Sequence, residues 1–133
     1  MLEPLTAYSP VVWAFGVVGL LLLMQLLVAD IAGVRSGHVP GSPVPADHGS
    51  FLFRAVRAHA NTNETIAAFI LLALFGIFRG ASAEWLNGLA WLYVGARVAH
   101  MTCYYADVRI MRSVAFVLAF AALLGMLIAG SLA

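Results

Sequence analysis

The first long apolar run, residues 8–29, reads YSPVVWAFGVVGLLLLMQLLVA and contains no charged residue. A helix of about 20 apolar residues crosses the roughly 30 Å hydrocarbon core of a bilayer, so this run is long enough to span it. Across the 133 residues, 63% are hydrophobic and only 10% are charged, whereas soluble domains carry about a quarter charged residues. No basic segment precedes the run, so we expect it to be a retained span rather than a signal peptide.

Three further apolar segments follow, separated by polar connections. The stretch 36–49, SGHVPGSPVPADHG, contains three prolines and three glycines, which favours a loop. Because short connections make neighbouring helices antiparallel, we predict an all-α membrane protein, a four-helix up-and-down transmembrane bundle forming one domain over residues 1–133. The predicted spans are about 8–34, 50–78, 85–105 and 113–132, with a tight polar corner at 106–112.

The arginines predict the orientation of this bundle. Every basic residue is an arginine, and only Arg79 lies in the second connection. The first and third loops and their flanks carry Arg35, Arg54, Arg57, Arg109 and Arg112. The positive-inside rule therefore places these loops in the cytoplasm and both termini outside, and we expect a bacterial inner-membrane location.

Composition excludes several classes of site. A net charge of +1 provides no basic field for nucleic acid. The single cysteine, Cys103, excludes an internal disulfide and a cysteine-rich metal site, and we predict no metal. Four small residues share one face of the fourth span, which predicts close packing on another helix; these are Ala115, Ala119, Ala122 and Gly125.

Two helices carry matched polar faces. Arg54, Arg57, Asn61 and Glu64 share one face of the second helix by their spacing, and the third helix has a similar face. That second face comprises Tyr93, Arg97, His100 and Tyr104. Charged groups on a membrane helix point inward, because contact with lipid is costly. Both faces lie towards the same end of the bundle, so their excess of arginine predicts an anionic ligand with carboxylates.

The polar faces are also compatible with two roles that involve no such ligand. A buried Arg–Glu pair could lock helix packing, with the remaining arginines acting as topology anchors. A transport pathway would also place charges on inward faces, but the second half of every helix is apolar, so no polar path crosses the bilayer.

The segment RAHANTNETI (57–66) resembles the R-A-x-x-N-x-x-E signature of the MAPEG family, the membrane-associated proteins of eicosanoid and glutathione metabolism. The segment GARVAHMTCYYADVRIMRSVAF (95–116) is similar to the third- and fourth-helix region of the same family. The likeness extends over about residues 30–116 and is nearest to the microsomal prostaglandin E synthase branch. Ala60 departs from that branch, which has a further arginine there.

The resemblance implies a homotrimer that binds glutathione between subunits near the cytoplasmic face. Arg57, Asn61 and Glu64 match the second-helix glutathione-binding residues of the family. Arg97, His100 and Tyr104 match those of the third helix. Arg35 matches a first-helix arginine that reaches the tripeptide from a neighbouring subunit. Arg54 and Arg109 are further candidate ligands, since they lie at the same level.

The implied chemistry begins with the glutathione thiol, which must become a thiolate to attack. Arg112 and Ser113 match an Arg-Ser pair proposed to act on that thiol in the prostaglandin branch. We therefore expect Arg112 to stabilise the thiolate and Ser113 or Tyr104 to donate a hydrogen bond to it. The substrates would be lipophilic electrophiles or lipid peroxides that enter from the bilayer, whose lipids are further partners. The alternative function is a catalytically silent membrane protein with a structural or partner-binding role.

Overall fold

The computed structural model describes residues 3–133, with side chains from residue 5 onward. A single helical turn, α1 (Glu3–Thr6), precedes four long helices, and no strand forms in this part of the chain. The long helices are α2 (Ser9–Arg35), α3 (Phe51–Arg79), α4 (Ala83–Tyr105) and α5 (Arg109–Ser131). The predicted all-α fold with four long helices is confirmed.

Local sequence signals set where the helices begin and end. The Ser50 hydroxyl caps α3 by accepting from the Phe53 backbone N–H, and Ser82 caps α4 by accepting from that of Trp85. Such caps satisfy N–H groups that have no partner within the helix. Gly80 ends α3 in the left-handed region, with φ of 74°, which glycine adopts without the steric cost of a side chain.

Helix α5 begins one turn earlier than the predicted fourth span. The corner is confined to 106–108, where Asp107 adopts a φ of 57° and reverses the chain. Arg109 and Arg112 therefore belong to the first turn of α5 rather than to a loop. The prediction of a corner through 112 was wrong, because one left-handed residue suffices for the reversal.

The bundle places α3 and α4 at its centre. Each of them packs against both α2 and α5, which lie on opposite sides. The predicted face of small residues on α5 is confirmed as a packing surface, because Ala115, Ala119 and Ala122 are buried. At Gly125 an added Cβ atom would lie only 2.8 Å from Leu89 Cδ2, so glycine permits the close approach of α5 to α4.

Three of the helices, α2, α3 and α5, are long and apolar enough to cross a membrane by length and composition. Helix α4 is of comparable length but carries Asn87, Arg97 and His100, the last two of which are buried inside the bundle. Large apolar side chains such as Leu23 and Leu27 are exposed on the outside, as expected for surfaces that face lipid. These features identify an integral membrane protein; the crossing by α4 stays a prediction.

The helices alternate in direction, so one end of the bundle gathers most of the arginines. At this arginine-rich end, where α3 begins and α4 ends, the rings of Phe51 and Tyr105 are 5.5 Å apart. At the opposite end Arg79 donates to the Gly130 carbonyl oxygen, and the Tyr8 hydroxyl donates to the carbonyl oxygen of Ala81 at 2.6 Å. The arginine-rich end therefore holds both predicted polar faces.

Candidate functional site

The two polar faces meet across the interface between α3 and α4. Arg97 Nη1 donates to Asn61 Oδ1 at 2.7 Å and makes a longer contact of 3.4 Å with the Asn61 carbonyl oxygen. One turn deeper, the hydroxyls of Thr65 and Tyr93 share a hydrogen bond of 2.7 Å. Asn61 and Arg97 therefore meet at one depth, as predicted from the spacing of the two faces.

Arg97 is the most deeply buried charged residue of the site. Its relative exposure is 0%, and its guanidinium carbon lies 5.9 Å from the ring centroid of Tyr93 and 5.8 Å from that of Phe116. The aromatic faces favour a cation by their quadrupole. Nε and Nη2 have no hydrogen-bond partner among residues 3–133, so the buried guanidinium retains donors for an acceptor beyond Asn61.

A cleft of about 260 Å³ opens beside this pair. Helix α3 contributes one lining residue, and α4 and α5 contribute the others, so the cleft lies where three helices converge. Its polar and apolar groups occupy one small volume, which suits a ligand with both kinds of surface. The lining residues are Asn61, His100, Tyr104, Arg112, Ser113, Phe116 and Val117.

Arg112 lies directly over an aromatic ring in the cleft. Its guanidinium carbon is 4.4 Å from the ring centroid of Tyr104, and its Nη1 is buried without a hydrogen-bond partner among the described residues. Stacking holds the guanidinium in a fixed plane while leaving its in-plane N–H donors free. The Ser113 hydroxyl, one residue further along α5, donates to the Arg109 carbonyl oxygen at 3.3 Å.

His100 forms the inner wall of the cleft. The side chain is 3% exposed, and its ring meets the Tyr104 ring edge-on, with centroids 5.1 Å apart. Its Nδ1 has no partner within residues 3–133. The stacked contact of Arg112 with Tyr104 and the edge-on contact of Tyr104 with His100 join the three side chains into one packed group.

Arg57 and Glu64 extend the polar face of α3 outside the cleft. Arg57 Nη1 lies 3.7 Å from Glu64 Oε1, with side-chain exposures of 39% and 57%. A pair this exposed contributes little to stability. Its position on the same helix face as Asn61 leaves both charges accessible to a ligand.

The remaining three candidates lie outside the cleft. Arg54 Nη1 donates to the His48 carbonyl oxygen at 2.6 Å and stacks over Phe51, so it fastens the loop to the start of α3. Arg35 and Arg109 are exposed, and neither side chain forms a hydrogen bond or ion pair within the described part of the chain. The structure thus gathers Asn61, Arg97, His100, Tyr104, Arg112 and Ser113.

Sequence reasoning missed the apolar part of the site. Phe116 and Val117 line the cleft together with Arg112, and Phe116 also contacts Arg97. The spacing contained the signal, because Phe116 is four residues after Arg112 on a helix and therefore shares its face. Aromatic residues in an apolar span are common, so the residue type alone did not single it out.

Comparison with known protein families gave one result that covers most of the chain. The family model of MAPEG matches residues 10–132. The chain belongs to the MAPEG family. Membership agrees with the membrane bundle seen here, and MAPEG proteins include glutathione-dependent transferases and isomerases. A comparison with curated proteins found no match.

Proposed function

We propose that this MAPEG protein is a glutathione-dependent membrane enzyme, a transferase, isomerase or peroxidase that activates the glutathione thiol against lipophilic electrophiles or lipid peroxides. The observation that carries the proposal is the cleft in which Arg112 and Tyr104 lie beside Asn61 and His100. The guanidinium groups of Arg112, in the cleft, and of Arg97, behind it, have buried N–H donors without partners among residues 3–133.

The charges of the site fit glutathione, which has two carboxylates and one ammonium group. Arg97 Nε and Nη2 and Arg112 Nη1 are buried donors without protein acceptors in the described residues, and charge-assisted bonds to a carboxylate would satisfy such groups. The exposed Glu64 carboxylate is available for an ammonium group. Arg57, beside it, adds a further cation for a carboxylate.

The chemistry follows from the groups beside the expected thiol. Bound glutathione would supply the nucleophile as its thiolate. The Arg112 guanidinium favours an anion by Coulomb attraction and by hydrogen bonding. The hydroxyl of Tyr104, or that of Ser113 on leaving the Arg109 carbonyl oxygen, would donate a second hydrogen bond to it. The ring of Phe116 and the side chain of Val117 provide an apolar wall for a lipophilic partner.

The assembly and orientation belong to the same proposal. We propose a homotrimer in an inner membrane, with the arginine-rich end facing the cytoplasm. The exposed Arg35 of one subunit would then reach the cleft of the next. The likeness to the prostaglandin E synthase branch stays a prediction, and Ala60, which has no guanidinium, is the position that departs from it.

Calorimetric titration of glutathione into the detergent-purified protein tests the proposal. Wild type should bind, and the double variant Arg57→Ala/Glu64→Ala should bind at least about tenfold more weakly, because two charge-assisted contacts are lost. The matched control, Arg79→Ala/Glu84→Ala, makes the same change at the opposite end and should bind like wild type. If wild type does not bind glutathione and the first double variant is indistinguishable from it, the enzyme proposal is wrong and the catalytically silent alternative stands. If both proteins bind glutathione equally well, the assignment of Arg57 and Glu64 as ligands is wrong.

A further inference from the structure

A second cavity, of about 460 Å³, lies at the arginine-rich end between α2, α3 and the loop that joins them. It shares no lining residue with the candidate glutathione cleft. Val44, Leu52 and Val56 form much of its wall. Asp30 places a carboxylate on this otherwise largely apolar lining.

The loop that covers this cavity is folded into a defined turn. His38 Nε2 donates to the Ser42 carbonyl oxygen at 3.0 Å, and the Ser42 hydroxyl donates to the Val39 carbonyl oxygen at 2.6 Å. Gly41 adopts a φ of 80° within this turn, a conformation that side chains disfavour. The cavity is therefore bounded by fixed backbone on the loop side as well as by two helices.

The Asp30 carboxylate has no oppositely charged partner beside the cavity within residues 3–133. The residue is exposed, and its side chain forms no hydrogen bond or ion pair within residues 3–133. It lies five residues before Arg35, the last residue of α2, with its carboxylate beside the cavity. A cationic donor at this point would therefore be stabilised by the carboxylate.

We propose that the cavity binds the headgroup of a zwitterionic phospholipid that carries a primary ammonium group, such as phosphatidylethanolamine. Asp30 accepts hydrogen bonds from the ammonium group, and the lipid phosphate stays in the solvated headgroup layer outside the cavity. The walls formed by Leu52 and Val56 receive the first acyl carbons. The exposed side chains of Ile31 and Leu27 continue this apolar surface along α2.

Charge complementarity favours this lipid over two other classes. An anionic lipid without an ammonium group offers no cation to the Asp30 carboxylate. A choline headgroup has no N–H to donate to that carboxylate, although it has the same net charge and phosphate. The two zwitterionic lipids therefore differ in the one interaction that the cavity provides.

Native mass spectrometry with phosphatidylethanolamine or phosphatidylcholine of identical acyl chains tests the proposal. Wild type should bind the ethanolamine lipid about tenfold more tightly, the ratio expected from one charge-assisted hydrogen bond. Asp30→Asn should abolish that preference, whereas Asp30→Glu should retain it. The control Glu84→Gln, which removes an exposed carboxylate from the first turn of α4, should leave the preference unchanged.

Equal binding of the two lipids to wild type would overturn the proposal, whether or not the variants fold. A preference that persists in Asp30→Asn, or that Glu84→Gln removes equally, would also overturn it. Thermal unfolding of each variant in detergent verifies that the fold is intact. Glutathione titration is independent of this test, because Asp30 lies outside the cleft.

Discussion

Replacing Arg112 by glutamine is expected to reduce glutathione-dependent turnover by about 100-fold, a typical effect of removing one fixed group that stabilises developing negative charge. The Arg112 guanidinium stacks 4.4 Å from the Tyr104 ring centroid and has a buried Nη1 without a partner among the described residues. It is therefore held in position before any ligand binds. Glutamine preserves a polar side chain but removes the cation.

The effect of Arg112→Gln can be measured with a chromogenic nitroaryl halide and glutathione, together with the ultraviolet absorbance of the bound thiolate. Turnover and thiolate absorbance should fall together. Arg79→Gln, the same change at the opposite end of the bundle, should leave both unchanged. If Arg112→Gln retains both the thiolate absorbance and the turnover, another group stabilises the thiolate. The proposed role of Arg112 is then wrong.

Asn61→Leu is expected to lower the free energy of unfolding by about 3 kcal/mol, because it leaves a buried charge without its closest acceptor. Arg97 is wholly buried, and its 2.7 Å bond to Asn61 Oδ1 is its shortest hydrogen bond. The other acceptor for Arg97 within residues 3–133 is the Asn61 carbonyl oxygen, at 3.4 Å. Unfolding in mixed micelles measures the change.

A second variant separates this charge effect from a general loss of packing. Asn61→Leu/Arg97→Leu removes both partners and should be more stable than Asn61→Leu alone, because no buried charge remains unpaired. The control Asn87→Leu removes a bond to the Ala7 carbonyl oxygen near the other end, and should cost less than about 1 kcal/mol. A double variant no more stable than Asn61→Leu would show that the charge is not the cause.

Periodicity predicted the part of the site that depends on helical faces. The spacing of Asn61 on α3 and of Arg97 on α4 was sufficient to place them opposite each other, because a membrane helix turns its polar residues inward. Helix direction then fixed their depth. The same reasoning included Arg54, but its place in the first turn of α3 allows it to bond with the His48 carbonyl oxygen instead.

Features that depend on a single backbone conformation or on tertiary packing could not be predicted in the same way. The left-handed Asp107 moved the start of α5 to Arg109, and no hydrophobic pattern carries that information. The carboxylate of Asp30 became notable only once the folded loop enclosed a cavity beside it. Sequence therefore predicted that Arg97 points inward, but not that Glu64 stays exposed. It also did not predict which polar residues share a cleft.

Electron cryomicroscopy of the protein with bound glutathione is the decisive test of the proposed site. We expect density for the tripeptide in the cleft lined by Asn61, Tyr104 and Arg112, with its sulfur nearest to Arg112. Density for glutathione at another site, with this cleft free of it at saturating concentration, would contradict the proposal.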